Sequence, residues 1–252
     1  MCIIIIAENK NIPQDLIQKA MITNPHGSGF GWHEKNKNYW QKKITTINEA
    51  LEINEKLKPP YIFHARISTC SHSLSLTHPF IIAPHSPLTK KGSSLKPLFF
   101  HNGHIQNWLE LTRTFFLFNN VKMPKGEWSD SRLLAFIIAT KGKNIINLFE
   151  GKFLIFDKGH VKTYGKWEIH KEFWMSNTYG MIDTLFPTEW TQKDWSTRNT
   201  PTLRKEHNKS FETCTWCNTP LTNNRPCNCL SCNTYNTSDD IRKETNGSNI
   251  NS

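Results

Sequence analysis

Residues 3–7, Ile-Ile-Ile-Ile-Ala, form an unbroken run of mostly β-branched apolar side chains. A run this short and this apolar suits a strand buried on both faces. Pro13 then opens a segment with Leu16, Ile17, Ala20 and Met21 at helical spacing, which predicts an amphipathic helix ending at Asn24-Pro25. Residues 27–32, Gly-Ser-Gly-Phe-Gly-Trp, read as a glycine turn that opens a strand. Thr46 with Glu49 three residues on has the form of a capping box, and Ile47, Ala50, Leu51 and Leu57 continue a helix until Pro59-Pro60 stops it.

Residues 61–68 read as a strand, followed by a Ser/Thr/Pro-rich connection and a further strand at 98–101 that opens onto Asn102-Gly103. Asp130 begins a second strong helix with Leu133, Leu134, Ile137 and Ile138 on one side. Residues 153–156, 161–164 and 173–176 read as later strands of an antiparallel set, the first two joined by the hairpin signal Asp157-Lys158-Gly159. Many strands with only two main helix groups predict an α+β fold in which helices stack on antiparallel sheets. Residues 186–210 turn polar and lack apolar periodicity, which marks a linker. Residues 237–252 hold almost no large apolar side chain and read as a disordered tail.

A chain of 252 residues that is 37% hydrophobic, with fifteen Phe and nine Trp, has the material for one substantial core. Its longest apolar run, residues 133–139, is far shorter than the roughly 20 residues a membrane-spanning helix needs, so no integral membrane segment is expected. No basic leader precedes the apolar run at residue 3, so the chain is expected to remain in the cytoplasm. The net charge of +10 is uneven: residues 1–185 carry +9, residues 186–210 carry +2 and residues 211–252 carry −1. The surplus is scattered without a dense Lys/Arg block, which favours a generally basic surface over a dedicated nucleic-acid groove.

Cys2 changes the reading of the first strand. Methionine is commonly removed before a small second residue, leaving a thiol and a free α-amine on one residue. An α-amine with a pKa near ~8 can accept the proton of a thiol near ~8.5, so nucleophile and base are joined. Four motifs follow: His64-Ala65-Arg66-Ile67-Ser68-Thr69, Thr77-His78-Pro79-Phe80, His101-Asn102-Gly103 and Ser129-Asp130-Ser131. Six histidines lie between positions 64 and 104 without accompanying carboxylates, which argues against a catalytic metal there.

With Cys2 and the glycine turn, this ordered series resembles the class II glutamine amidotransferases, the cysteine branch of the N-terminal-nucleophile hydrolases, over roughly residues 2–180. The resemblance is closest to their stand-alone members. The resemblance implies a four-layer αββα fold over residues 1–185 and hydrolysis of the glutamine side-chain amide through a thioester on Cys2. It implies that Arg66 binds the substrate carboxylate with Thr69 beside it, that Asp130 binds the ammonium, and that Asn102 and Gly103 form the oxyanion hole. Bidentate guanidinium, carboxylate and preorganised N–H donors suit those three tasks. The chain departs from the family in having Cys70-Ser71 where a glycine often follows the threonine, and in having only about seventy residues after the hydrolase-like region. The ammonia acceptor is then expected to be a separate enzyme, or absent. A free-standing γ-glutamyl amidohydrolase and a catalytically silent binding module remain the alternatives.

Five of the seven cysteines fall between positions 214 and 232, within a module predicted at residues 211–236. Cys214-x2-Cys217 and Cys229-x2-Cys232 have the spacing of a structural zinc ribbon, with Cys227 spare or substituting for Cys229. Closed four-thiolate coordination has no open position for chemistry, so this zinc is expected to hold the small module together. Elemental analysis should find about one zinc per chain, eliminated by the double change Cys214→Ser/Cys217→Ser. A metal-free protein would remove the ribbon.

Overall fold

A computed structural model describes residues 2–68, 73–121 and 123–181, all within the unit Met1–Ile182. The expected linker, the cysteine-rich module and the tail lie outside the described residues, as does Thr69.

The first apolar run is strand β1 (Ile3–Ala7), and all five of its residues are buried. Pro13 precedes α1 (Gln14–Thr23), whose Leu16, Ile17, Ala20 and Met21 are buried. The glycine segment becomes β2 (Ser28–Glu34), which pairs with β3 (Lys37–Ile44). Helix α2 (Ile47–Lys56) is capped by Thr46, whose side-chain oxygen accepts the Glu49 N–H at 3.3 Å. The reciprocal half of the expected box is redirected, because the Glu49 carboxylate instead accepts from Gln41 and pairs with Lys90. Then come β4 (Tyr61–Ala65), β5 (Phe80–Ile81), β6 (Lys91–Ser94) and β7 (Leu98–Asn102). Helices α3 (Trp108–Phe118) and α4 (Asp130–Lys141) precede β8 (Lys152–Asp157), β9 (His160–Tyr164), β10 (Glu168–His170) and β11 (Phe173–Met175).

These strands make two antiparallel sheets, one of seven strands in the order β10-β11-β1-β4-β2-β3-β6 and one of four in the order β5-β7-β8-β9. Strand periodicity sorts the core into layers. Ile3, Ile5 and Ala7 pack with Leu16, Ile17, Ala20 and Ala50 on the α1/α2 side, whereas Ile4 and Ile6 meet Leu98, Phe100, Leu154 and Phe156 between the sheets. On the far side of the small sheet, Phe99, Phe153 and Ile155 pack against Leu134, Ala135 and Ile138 of α4. The order is helices, sheet, sheet, helices, as the αββα expectation requires.

Strand β3 was not anticipated from the sequence, and its burial shows why. Its inward positions are Asn38, Trp40, Lys42 and Ile44, so two of four core-facing residues are polar. The fully buried Lys42 donates from Nζ to the Pro79 carbonyl at 3.3 Å and lies 4.8 Å from the Phe80 ring centroid. Burial lowers its pKa to about 7. The short strands β5, β6 and β10 and helix α3 are further additions; in α3, Leu117 and Phe118 are exposed, which blurs the amphipathic pattern.

The glycines of β2 do more than turn the chain. Gly29 and Gly31 pair with His64 and Ile62 of β4. A Cβ on Gly31 would meet Leu98 and Phe100 of the opposing sheet at 2.8 and 2.9 Å, and one on Gly29 would stand 2.1 Å from the His78 carbonyl oxygen. Backbone cannot retreat from that contact as a flexible side chain can. Gly29→Ala should therefore destabilise the fold by about 3 kcal/mol or more in urea denaturation; parental stability would mean that the sheets are free to separate.

Candidate active site

Cys2 lies one residue ahead of β1 and continues the Ile4 and Ile6 side of the strand, toward the space between the sheets. Arg66 extends β4 by one residue, its N–H bonded to the Gly27 carbonyl at 2.9 Å, and follows Ile62 and His64 in strand period. Asn102 ends β7 on the side that carries Leu98 and Phe100. Period-two alternation thus brings Cys2, Arg66 and Asn102 from three strands to one end of the inter-sheet layer. His101, adjacent to Asn102, faces the other way, and its Nδ1 is 2.9 Å from the Ser131 hydroxyl on α4.

The N-terminal strand is held at this end by residues just after β11. The Asn177 side-chain amide donates to the Cys2 carbonyl at 2.6 Å, and the Ser176 N–H donates to the Ile4 carbonyl at 2.9 Å. The Ser176 hydroxyl accepts both the Ile4 N–H at 2.9 Å and the Asn102 Nδ2 at 2.8 Å. Lys152 Nζ closes the same corner on the Ser176 carbonyl. Neither Ser176 nor Asn177 carries a signal in the sequence; β11 must first pair with β1 before Ser-Asn has anything to hold.

The Cys2 thiol donates weakly to the Ile67 carbonyl at 3.5 Å. Burial pushes its pKa above the ordinary thiol value, and the nearby Asp130 carboxylate adds to that, while the Arg66 guanidinium pulls the other way. A thiol so placed is protonated at neutral pH and needs a base before it can attack. Arg66 is mostly buried, with Nη1 on the Ser73 carbonyl at 3.2 Å and Nη2 on the Ser68 hydroxyl at 3.1 Å. The backbone N–H of Ser68 is in turn bonded to His26 Nδ1 at 2.8 Å.

Asp130 opens α4, but Ser129 is the residue that caps it, its side-chain oxygen accepting the Arg132 N–H. Asp130 instead ties the loop after β7 to the helix: Oδ2 accepts the Ile105 N–H at 3.1 Å, and Oδ1 accepts the Ser131 N–H at 2.7 Å. Gly103 sits in that loop. A Cβ there would lie 2.7 Å from His101 Nε2 and 3.3 Å from the Gly151 Cα, so a larger residue would push the loop off the sheet end.

Behind the site the imidazoles of His64 and His78 lie with ring centroids 4.2 Å apart. Both rings and His101 are almost wholly inaccessible, and neither nitrogen of His64 or His78 has a hydrogen-bond partner among the described residues. Among those residues, no group of three or more His, Cys, Asp or Glu side chains gathers in a way that could hold a metal ion. Thr69 and the cysteines Cys214, Cys217, Cys229 and Cys232 lie outside the described residues.

Neither a protein-family model nor a curated protein sequence matches the chain. Solved structures do. The structure described as that of the allosteric regulatory enzyme of purine biosynthesis aligns with a TM-score of 0.50 at 17% identity, over 72% of this chain and 43% of that one. The glutamine phosphoribosylpyrophosphate amidotransferase from B. subtilis, complexed with ADP and GMP, aligns with a TM-score of 0.49 at 15% identity over the same shares. The chain spans less than half the length of either. The described unit has mixed α/β architecture with antiparallel sheets, and its fold is similar to that of the allosteric regulatory enzyme of purine biosynthesis. No helix among the described residues is long and apolar enough to cross a membrane.

The buried imidazoles have a consequence for acid stability. Burial lowers His64 to about 3 and His101 to about 4, the latter partly offset by Asp130, and takes His78 well below its ordinary value of 6.5. Below pH ~6.5 the unfolded chain binds protons at these sites and the native chain does not, so stability falls as pH falls. The unfolding free energy from urea titration should drop between pH 6.5 and 5, before carboxylates titrate, and drop less steeply in His64→Leu. A flat profile over that window in the parent would contradict the buried, neutral cluster.

Proposed function

We propose that the chain is a cysteine N-terminal-nucleophile amidohydrolase of the glutamine amidotransferase type. The observation that carries this reading is the convergence of Cys2, Arg66 and Asn102, from three strands, at one end of the inter-sheet layer. In this reading Met1 is removed, and the α-amine of Cys2 accepts the thiol proton. The thiolate attacks the side-chain amide carbon of glutamine. The resulting oxyanion is stabilised by the Asn102 amide and the Gly103 N–H. The proton passes from the amine to the leaving nitrogen as the C–N bond breaks, releasing ammonia and leaving a thioester on Cys2. Water then adds to the thioester with the same amine as base, and glutamate departs with the thiol restored.

Arg66 pairs with the substrate α-carboxylate, assisted by Thr69, and Asp130 pairs with the α-ammonium. Arg66 and Asp130 both act on the Cys2 thiol electrostatically, so a zwitterion held between them would lie beside the nucleophile. We further propose that the ammonia passes to a separate acceptor enzyme, and that the cysteine-rich module binds structural zinc and contacts a protein partner rather than nucleic acid.

Ammonia release from glutamine, alongside amine release from γ-glutamyl conjugates, tests the reading. Cys2→Ala should abolish hydrolysis. Asn102→Ala should lower kcat by roughly 10² to 10³ with less effect on KM, as for loss of one oxyanion donor. Arg66→Ala should weaken kcat/KM by about 2 to 5 kcal/mol, because it leaves a buried charge unpaired. Activity in Cys2→Ala would remove the nucleophile, and parental rates in the other two variants would overturn the substrate pose.

A further inference from the structure

An oxyanion hole needs N–H donors, yet the Asn102 amide turns its nitrogen toward Ser176 and gives it one of its two N–H groups. Nδ2 points to the Ser176 hydroxyl at 2.8 Å, while Oδ1, the end turned away from Ser176, is buried without a hydrogen-bond partner among the described residues. The hydroxyl is equally ill-served. It accepts the Ile4 N–H and the Asn102 Nδ2, which uses both lone pairs, and its own proton finds no acceptor among the described residues. A buried carbonyl oxygen and a buried O–H are both left unspent, each costly away from water.

Turning the amide by 180° about its last side-chain bond resolves both defects, since the two ends of a carboxamide have nearly the same shape. The Ile4 N–H still donates to Ser176 Oγ. The Ser176 O–H now donates to Asn102 Oδ1. The only unspent group is then Nδ2, placed where Oδ1 had been and turned away from Ser176. An oxyanion would accept from it. The backbone N–H of Ile4 is fixed by the strand, so it dictates that Ser176 must act as acceptor there and offer its proton elsewhere.

We propose that Ser176 is a positioning residue for amide hydrolysis: its hydroxyl, oriented by the Ile4 N–H, holds Asn102 Oδ1 so that Asn102 Nδ2 faces the developing oxyanion. This rests on the amidohydrolase reading above and adds to it the residue that sets the polarity of the oxyanion hole. Ser176 is suited to the task because its place does not depend on its hydroxyl. Its N–H is bonded to the Ile4 carbonyl, Lys152 holds its carbonyl, and the next residue, Asn177, holds Cys2. The reach from Ser176 to both β1 and β7 places one hydroxyl between the strand that carries the nucleophile and the strand that carries the oxyanion donor.

The test is a double-mutant cycle on the full-length chain, with steady-state ammonia release from glutamine as the readout. Ser176→Ala should lower kcat about tenfold or more, the worth of one buried hydrogen bond, with KM changed less than about twofold. In an Asn102→Ala background the same change should have no further effect on kcat. Ser176→Cys, which keeps the volume and offers a weak donor, should fall between parent and Ser176→Ala, and its own cycle with Asn102→Ala carries the test if Ser176→Ala fails to fold. Multiplicative loss in both backgrounds, or parental kcat in a folded Ser176→Ala, overturns the positioning role while the hydrolase reading stands. A folded parent that releases nothing from glutamine or from any γ-glutamyl conjugate overturns the hydrolase reading, and the positioning role with it.

Discussion

The burial of β1 on both faces is the constraint from which the rest of the molecule follows. Ile3, Ile5 and Ala7 are committed to the helix side and Ile4 and Ile6 to the inter-sheet side, so the strand cannot slip by one residue without reversing every contact. That register carries Cys2 to the end of the inter-sheet layer. It also presents the Ile4 N–H to Ser176 and the Cys2 carbonyl to Asn177. The terminal residue of a chain is ordinarily its least ordered part; here pairing with both β4 and β11 holds the segment on either side.

The same geometry fixes the polarity of the interior. Lys42, His64 and His78 occupy inter-sheet or adjoining buried positions, and burial holds all three below their ordinary pKa values. Neutral imidazoles are the form that an apolar sandwich tolerates. Asp130 lies on the other side of β7, where His101 and the first turn of α4 share Ser131. The Asp130 carboxylate and the Arg66 guanidinium thus approach the thiol from different layers, with Asn102 and Gly103 of the small sheet between them in sequence. Alternation within a single motif does this: His101 serves the helix layer, and Asn102 serves the inter-sheet layer.

Much of this was legible in the chain. β1, α1, α2, α4 and the β8–β9 hairpin announce themselves through continuous apolar runs, helical spacing and Asp157-Lys158-Gly159, because in each the buried side is mainly apolar. β3 is hidden for the converse reason. Its inward Asn38 is spent on the Lys96 carbonyl, Asp157 and the Lys158 N–H, joining the large sheet to the β8–β9 turn, and its inward Lys42 on Pro79 and Phe80. A strand whose core face carries an amide and an amine does not alternate in hydropathy. The expected strand over residues 61–68 ends at Ala65; Arg66 still exchanges backbone hydrogen bonds with His26 and Gly27, and Ile67 and Ser68 lie beyond the strand. Cys2, Arg66, Asn102, Gly103 and Asp130 were identifiable as an ordered motif series, whereas Ser176 and Asn177 were not, because their roles exist only through pairing across more than 170 residues.

Whether this architecture serves a nucleophile at the chain start is most directly decided by covalent trapping. The protein is incubated with a glutamine analogue bearing a chloromethyl ketone in place of the side-chain amide, and the adduct is located by intact mass and peptide mapping. One adduct per chain, on Cys2, in protein lacking Met1 and blocked by excess glutamine, is the expected result. Labelling at Cys70 or in the cysteine-rich module instead, or labelling that glutamine does not protect, would contradict the assignment of Cys2 as the reacting group.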